Sequence, residues 1–571
     1  MTTSTSITIA SPTQVALRTP GKVMRLARIG AFHATRLSFA RTIVRRMTRE
    51  AWKFTRPVFD LDADGIGTAI YRVDTAAAPV WFVVFADHIA PEDRTDRVIA
   101  EKWDATFALT TRAPDDSEIA RLRANVPLQE GGRCSSGELI LSRANKSVRL
   151  FEHVVNALSQ GQQPNRAKIL EVGYLIRTTA VYGNGKFGLA DFNQVKADGI
   201  FSMPFQAEML CVYMARLFSI DWVEHIAWMR NPPLFKPLDL GLARALGVGN
   251  ATGLGMAPFL INHPLLIDRW ITARETALAR VRSVDPVRET ERLRFIALMD
   301  RASIHLDQWP TTDLQQQQRN AVLIEQIPWI LDTARSLCGT RIWDQLVHWA
   351  EDTLSLESQE LVNSLLIELH PDLVDELESE TGSDERMVLD PSMKLKDLKF
   401  TIEDKYDWSL AIDFARDGAR TMFWYRSAEK EEPRLGYRFE EPGEELEMQV
   451  AIAHDVVSLH HCLNDRDPDM LEATIAEFLM KFPEWRETTR RVQNVARFPY
   501  GEIRDNLLDA SCRPIDLLRC KLSIFGATKF DPKSNLWTRI ALFQGAPLTA
   551  ELSKEDADDW AFPFLSKGLG L

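Results

Sequence analysis

The sequence predicts an α+β fold that is predominantly helical and carries two small antiparallel sheet units related by internal duplication. Three observations lead there. Extended runs rich in β-branched and aromatic residues occupy 67–73, 80–85 and 105–109, and a short Ala/Pro turn between the first two is a hairpin signal. Helical periodicity dominates 204–373, with amphipathic stretches such as 266–284 and 291–306 of ordinary helix length. Past an acidic, turn-rich connector, the pattern that opened the first sheet begins again.

Trp52 is followed by Asp64-Gly65 and an extended run to Arg72, and Trp408 by Asp417-Gly418 and a run to Arg426. Glu152-His153-Val154-Val155 is echoed by His454-Asp455-Val456-Val457, Tyr182-Gly183 by Tyr500-Gly501, and Pro204 leading to Cys211 by Pro514 leading to Cys520. The shared order supports duplication. Five segments follow: a basic N-terminal segment at 1–50, a first sheet-plus-helix unit at 51–230, a central helical region at 231–376, the connector at 377–398, and a second sheet-plus-helix unit at 399–571.

In the first segment Arg18, Lys22, Arg25, Arg28, Arg36, Arg41, Arg45, Arg46 and Arg49 face a single acid, Glu50. Such a stretch has the composition of an organelle transit peptide. The favoured alternative is a short tip followed by a basic surface helix that docks on the acidic remainder.

With 571 residues, 45% hydrophobic and 26% charged, the chain has the composition of an ordinary globular protein able to bury a large interior. Its formal net charge of -12 argues against general nucleic-acid binding, which needs a basic surface to displace counterions. No apolar run reaches the roughly 18 residues of a membrane helix, so no transmembrane segment is expected. Six cysteines without a CxxC pair fit reduced thiols and a cytoplasmic location, and no metal site is expected. His460 and His461 are adjacent and cannot both face one metal from a helix.

Residues 247–255 hold four glycines between two helical patterns. They are expected to form a ligand-lining turn, with Asn250 and Thr252 as ligand groups and a new helix starting near Pro258. Their G-x-G-x-x-x-G spacing departs from the dinucleotide fingerprint, and no strand is expected before them. A second glycine loop at 183–188 places Lys186 among small neighbours, where its ammonium and the backbone amides can hold a carboxylate or phosphate together, with Asn184 beside it. It fails the Walker A spacing. Arg143, Asn145 and Lys146 cluster before a helix start, and Arg177 precedes the second loop.

His263, just past the glycine run, is the candidate general acid or base, because imidazole titrates near neutrality. Glu138 and Asp191 are the carboxylates closest to the polar loops, and either could act as a base if buried beside Arg177 or Lys186. Cys134, beside Arg133, has no identifiable partner base. The expected function is therefore a cytosolic enzyme acting on a small anionic, carboxylate- or phosphate-bearing metabolite, with hydrolase or lyase chemistry favoured because no cofactor motif is visible; no cofactor is assigned. The alternative is a non-catalytic ligand-binding or assembly protein, for which a homo-oligomer would be in keeping.

Overall fold

The computed structural model describes residues 15–564 except 91–102, 126–136, 184–198, 202, 254–258, 310, 383–385, 415–419, 422, 427–430, 435–445, 450–451, 466–467, 505–506, 509–512, 534–536 and 556. Its organising element is one mixed sheet of nine strands: β1 (Lys53–Leu61), β2 (Gly67–Asp74), β3 (Pro79–Ala86), β4 (Ala105–Thr110), β5 (Glu138–Lys146), β6 (Tyr174–Gly183), β7 (Gly247–Gly253), β8 (Lys529–Pro532) and β9 (Trp537–Leu542). The spatial order is β1-β2-β3-β4-β5-β6-β7-β9-β8. Strands β1 to β6 form an antiparallel meander, β7 joins β6 in parallel, and β9 closes onto β7 antiparallel.

Period-two alternation builds the two faces of this sheet. Tyr71, Phe82, Val84 and Phe107 enter the main core, whereas their neighbours Ile70, Val83, Phe85 and Ala108 enter a smaller core on the other side. The smaller core is capped by α1 (Asp116–Asn125) through Ile119 and Leu122. Against the main-core face lie α2 (Phe151–Ser159), α3 (Arg166–Val172) and α4 (Gln206–Arg230). Helix α4 is buried over most of its circumference and packs on β4, β5, β6 and β7. It supplies much of the long crossover that the parallel β6–β7 pairing requires.

The expectation of two small antiparallel units is overturned. The sheet is a single large one, because β8 and β9, from the presumed second copy, hydrogen-bond to β7 and extend the first sheet. The proposed counterpart of β2, Phe423–Arg426, instead lies at the centre of a separate three-stranded sheet with Glu431–Arg434 and Leu446–Gln449. Cys211 on α4 and Cys520 on a late helix, Pro514–Phe525, share one core rather than two equivalent ones.

Residues 247–253 of the glycine run form a strand rather than the expected turn, and Gly255 and the expected helix start near Pro258 lie outside the described residues. A Cβ on Gly247 would lie 2.3 Å from the Leu542 carbonyl oxygen and 2.8 Å from the Gln544 nitrogen, and one on Gly249 would lie 2.4 Å from the Tyr174 ring. These glycines let β6 and the β9 turn approach β7 closely, a packing role.

The central region forms a second core from α5 (Pro264–Arg282), α6 (Glu289–Asp307), α7 (Leu314–Ser336), α8 (Ile342–Thr353) and α9 (Leu356–Leu369). A third core lies among α10 (Leu395–Lys405), α11 (Ile452–Asn464), α12 (Ile475–Lys481) and α13 (Arg486–Asn494). The late helix Pro514–Phe525 is α14.

The basic N-terminal stretch, expected on the surface, is threaded between these cores from Arg18 onward. Arg18 donates to Glu275 and Glu360 at 2.8 and 2.7 Å, Arg28 reaches Glu360 at 2.6 Å, and Arg274 bonds Glu360 at 2.9 Å. Arg41 grips Glu368 with two bonds of 2.6 and 2.9 Å, and Arg45 pairs with Asp558 and Glu378. Burial alone would raise the Glu360 pKa, but Arg18, Arg274 and Arg28 outweigh it and hold the carboxyl well below the usual range.

Two stability predictions follow from these contacts. Glu360→Gln leaves three guanidiniums around a neutral amide and should cost about 3–5 kcal/mol in urea unfolding, the range for breaking a buried ion pair; an unchanged midpoint would remove this cluster from the fold's essential contacts. Gly247→Ala, which forces backbone against backbone, should cost about 1–3 kcal/mol in the same assay.

Candidate functional site

Seven of the candidate site residues fall on three consecutive strands: Glu138, Arg143, Asn145 and Lys146 on β5, Arg177 on β6, and Asn250 and Thr252 on β7. Asn145 is in register with Arg177, and Arg177 with Gly249. Asn145 works locally: its Oδ1 accepts the Asp104 N–H at 3.0 Å, while Asp104 Oδ2 accepts the Lys146 N–H at 2.8 Å. Arg143 stacks over Trp103 at 4.7 Å.

Lys146 Nζ lies 4.3 Å from the Trp222 ring centroid and 4.8 Å from that of Phe151. It lines a groove of about 570 Å³ with Asp64, His88, Glu152 and Arg230. Both charge signs occur there, and Arg230 is bonded to Glu152 at 3.0 Å. Glu138 opens β5, is buried, and pairs with Arg121. His263 occupies the position before α5, and its carbonyl accepts the Leu266 N–H at 3.1 Å. It lines neither this groove nor the cavity described next. Asn184, Lys186, Asp191 and Cys134 lie outside the described residues.

A cavity of about 380 Å³ lies elsewhere, where the N-terminal stretch, α6, α14 and β8 meet. Phe32, Trp309, Phe530 and Phe562 supply aromatic faces to its walls. The residue pattern explains each wall. His33 sits in the extended link between the Leu26–Ile29 helix and the helix Phe39–Arg49, and His305 in the last turn of α6. At the end of α14, Gly526 (φ +87°) adopts a left-handed cap, its N–H bonding the Leu522 carbonyl at 2.8 Å. That cap turns the chain so that Ala527, Lys529 and Phe530 form the next wall.

Aromatic packing fixes both imidazoles. His33 stacks on Phe562 at a centroid distance of 4.4 Å and 15° between planes, and His305 meets the same ring edge-on at 5.4 Å. Trp309 is held by its indole N–H donating to the Phe530 carbonyl at 2.6 Å. Burial pushes the His33 pKa down to about 3, with Glu357 opposing and Arg519 adding to the shift. His305 is lowered to about 4 by the same desolvation, although part of the residue still meets solvent. Both rings are therefore neutral at pH 7, and among the described residues His33 Nε2 has no hydrogen-bond partner.

The other polar groups are largely committed. Ser523 Oγ donates to the Phe32 carbonyl at 2.5 Å, and Thr528 Oγ1 to the Ala541 carbonyl at 3.1 Å. Arg519 makes a two-pronged pair with Glu357 at 2.6 and 3.0 Å. Lys529 bonds the Leu170 carbonyl at 3.2 Å and that of Glu171, at the end of α3. Burial lowers the Lys529 pKa to about 8. This arrangement offers apolar contact and hydrogen bonding. It offers no activated hydroxyl, because Ser523 gives its proton to a backbone carbonyl rather than to an imidazole.

Comparison with known protein families, with curated proteins and with solved structures finds no match. The lining residues of the cavity were not picked out from the sequence, because they come from segments around 33, 305, 525 and 562 with no spacing rule between them. The one local signal was a histidine, His33, in a stretch otherwise dominated by arginine.

The two histidines should make stability fall with acidification. The unfolded chain takes up their protons near pH 6.5, but the folded chain does so only near pH 3 and 4, so their contribution is fully present above 6.5 and is lost as pH falls toward those values. Each bound proton sets a limiting slope of about 1.4 kcal/mol per pH unit. Urea unfolding at pH 7 and pH 5 should show a smaller drop for His33→Gln than for the unaltered chain, and equal drops would refute the buried neutral state. The shifted carboxyls of Glu360 and Asp558 act below this window, since their contributions fade only as pH falls under ordinary carboxylate values.

Proposed function

We propose that the protein binds a small, largely apolar molecule in the cavity between its N-terminal stretch, α6, α14 and β8. The observation that carries this is the cavity itself: about 380 Å³ with Phe32, Trp309, Phe530 and Phe562 in its walls, and with polar side chains between them that are largely bonded to other parts of the protein. That is the character of small-molecule sites in general. Binding without chemistry is favoured over hydrolase or lyase activity by the state of the polar residues. Imidazoles with pKa near 3 and 4 are weak bases, and the two hydroxyls donate to backbone carbonyls.

Among the described residues no helix is long and apolar enough to cross a membrane. A cytoplasmic location goes with the proposal because, among the described residues, Cys211, Cys338 and Cys520 are thiols outside any disulfide, as expected in a reducing compartment.

N-phenyl-1-naphthylamine, a neutral fluorophore, tests the proposal. Saturable binding with a blue-shifted emission is expected for the unaltered chain and should be lost in Ala527→Phe, which fills the cavity wall. Binding that survives this substitution would move the site elsewhere.

A further inference from the structure

We infer that the ligand of this cavity is an aromatic carboxylic acid in its anionic form, with its ring body among the aromatic walls and its carboxylate received by Lys529. The inference rests on the binding role proposed for the cavity and adds the charge and shape of what enters it. Three observations carry it.

The first is the distribution of charge around the wall. Among the described residues Arg519 and Lys529 line the cavity, and no aspartate or glutamate does. The second is how each cation is answered. Arg519 is paired with both oxygens of Glu357, a carboxylate that Arg319 also contacts at 3.3 Å. Among the described residues the bonds of Lys529 run to the carbonyls of Leu170 and Glu171, and two carbonyls leave one of the three ammonium donors for a ligand. Two carboxylates act on Lys529 through space, Asp531, which is paired with Lys533 at 2.6 Å, and Glu171, which is paired with Arg149. Lys529 is thus the cation in this wall that, among the described residues, no carboxylate contacts directly. One ammonium in an apolar setting suits a monoanion; a phosphate dianion calls for more donors than this wall presents.

The third observation is the ring architecture. Phe562 already stacks with one imidazole and meets another edge-on, so a flat aromatic body continues contacts the site makes with itself.

Titration calorimetry of the full chain with 2-naphthoate and its neutral match 2-naphthylmethanol tests the inference. The acid should bind at least tenfold more tightly than the alcohol. Lys529→Met should erase that preference while the alcohol still binds, which also reports that the variant is folded, and Lys529→Arg should keep the preference. Equal affinity for acid and alcohol, with both lost in Ala527→Phe, would overturn the charge inference and leave the cavity as a binding site. Failure of both compounds to bind, or binding indifferent to Ala527→Phe, would overturn the cavity proposal as well.

Discussion

Glu360 is the carboxylate on which the assembly of this chain converges. It sits on α9 of the helical region, accepts from Arg18 and Arg28 of the N-terminal stretch, and bonds Arg274 on α5. A buried ion pair of this kind adds little net stability over a well-packed apolar substitute, because desolvating the charges offsets their attraction. Its value here lies in specifying an arrangement: once the guanidiniums are buried, only the geometry that brings them to Glu360 avoids stranding charge in the interior. The N-terminal stretch is thereby required to run between the helical core and the sheet.

The same cluster reaches the cavity directly. The Arg274 guanidinium lies 3.7 Å from the ring centroid of Phe32, which forms one wall. On the other side of His33, Arg36 is tied to Asp375 and Asp558, and the Trp270 indole N–H holds the Leu37 carbonyl at 3.1 Å. Phe32, His33 and Ala34 are thus strung between ionic anchors at Arg28 and Arg36. Weakening the Glu360 contacts would loosen a cavity wall as well as the fold, which links the stability of the interior to the shape of the site.

What could be read in the sequence follows the range of the forces involved. The runs at 67–73, 80–85 and 105–109 correspond to Gly67–Asp74, Pro79–Ala86 and Ala105–Thr110, and the stretches at 266–284 and 291–306 to Pro264–Arg282 and Glu289–Asp307. Alternation and helical periodicity are local, so one strand or helix at a time is legible. Residues 247–253 defeated this approach because glycines carry no apolar pattern; the run becomes a strand through its neighbours, with Tyr174 lying over Gly249 and the Leu542 carbonyl against Gly247. The addition of β8 and β9 to the first sheet was equally hidden, since a strand's partner is set by long-range closure. For the candidate site, the cluster on β5 was visible as a local density of Arg143, Asn145 and Lys146. The cavity was not, because His33, His305 and Lys529 are brought together only by tertiary packing.

The distribution of charge gives the cavity its character more directly than the net charge of -12 does. Acidic side chains are drawn inward to answer the arginines of the N-terminal stretch: Glu275, Glu360, Glu368, Glu378 and Asp558 all serve there. Glu357 does the same for Arg519 beside the cavity. With these carboxylates committed, the wall is left with two neutral imidazoles, aromatic faces and an ammonium held by carbonyls. An acidic protein thereby carries a cavity with aromatic walls in which, among the described residues, Lys529 is the cation that no carboxylate contacts directly. Local pairing, rather than overall charge, sets which ligands such a chamber would favour.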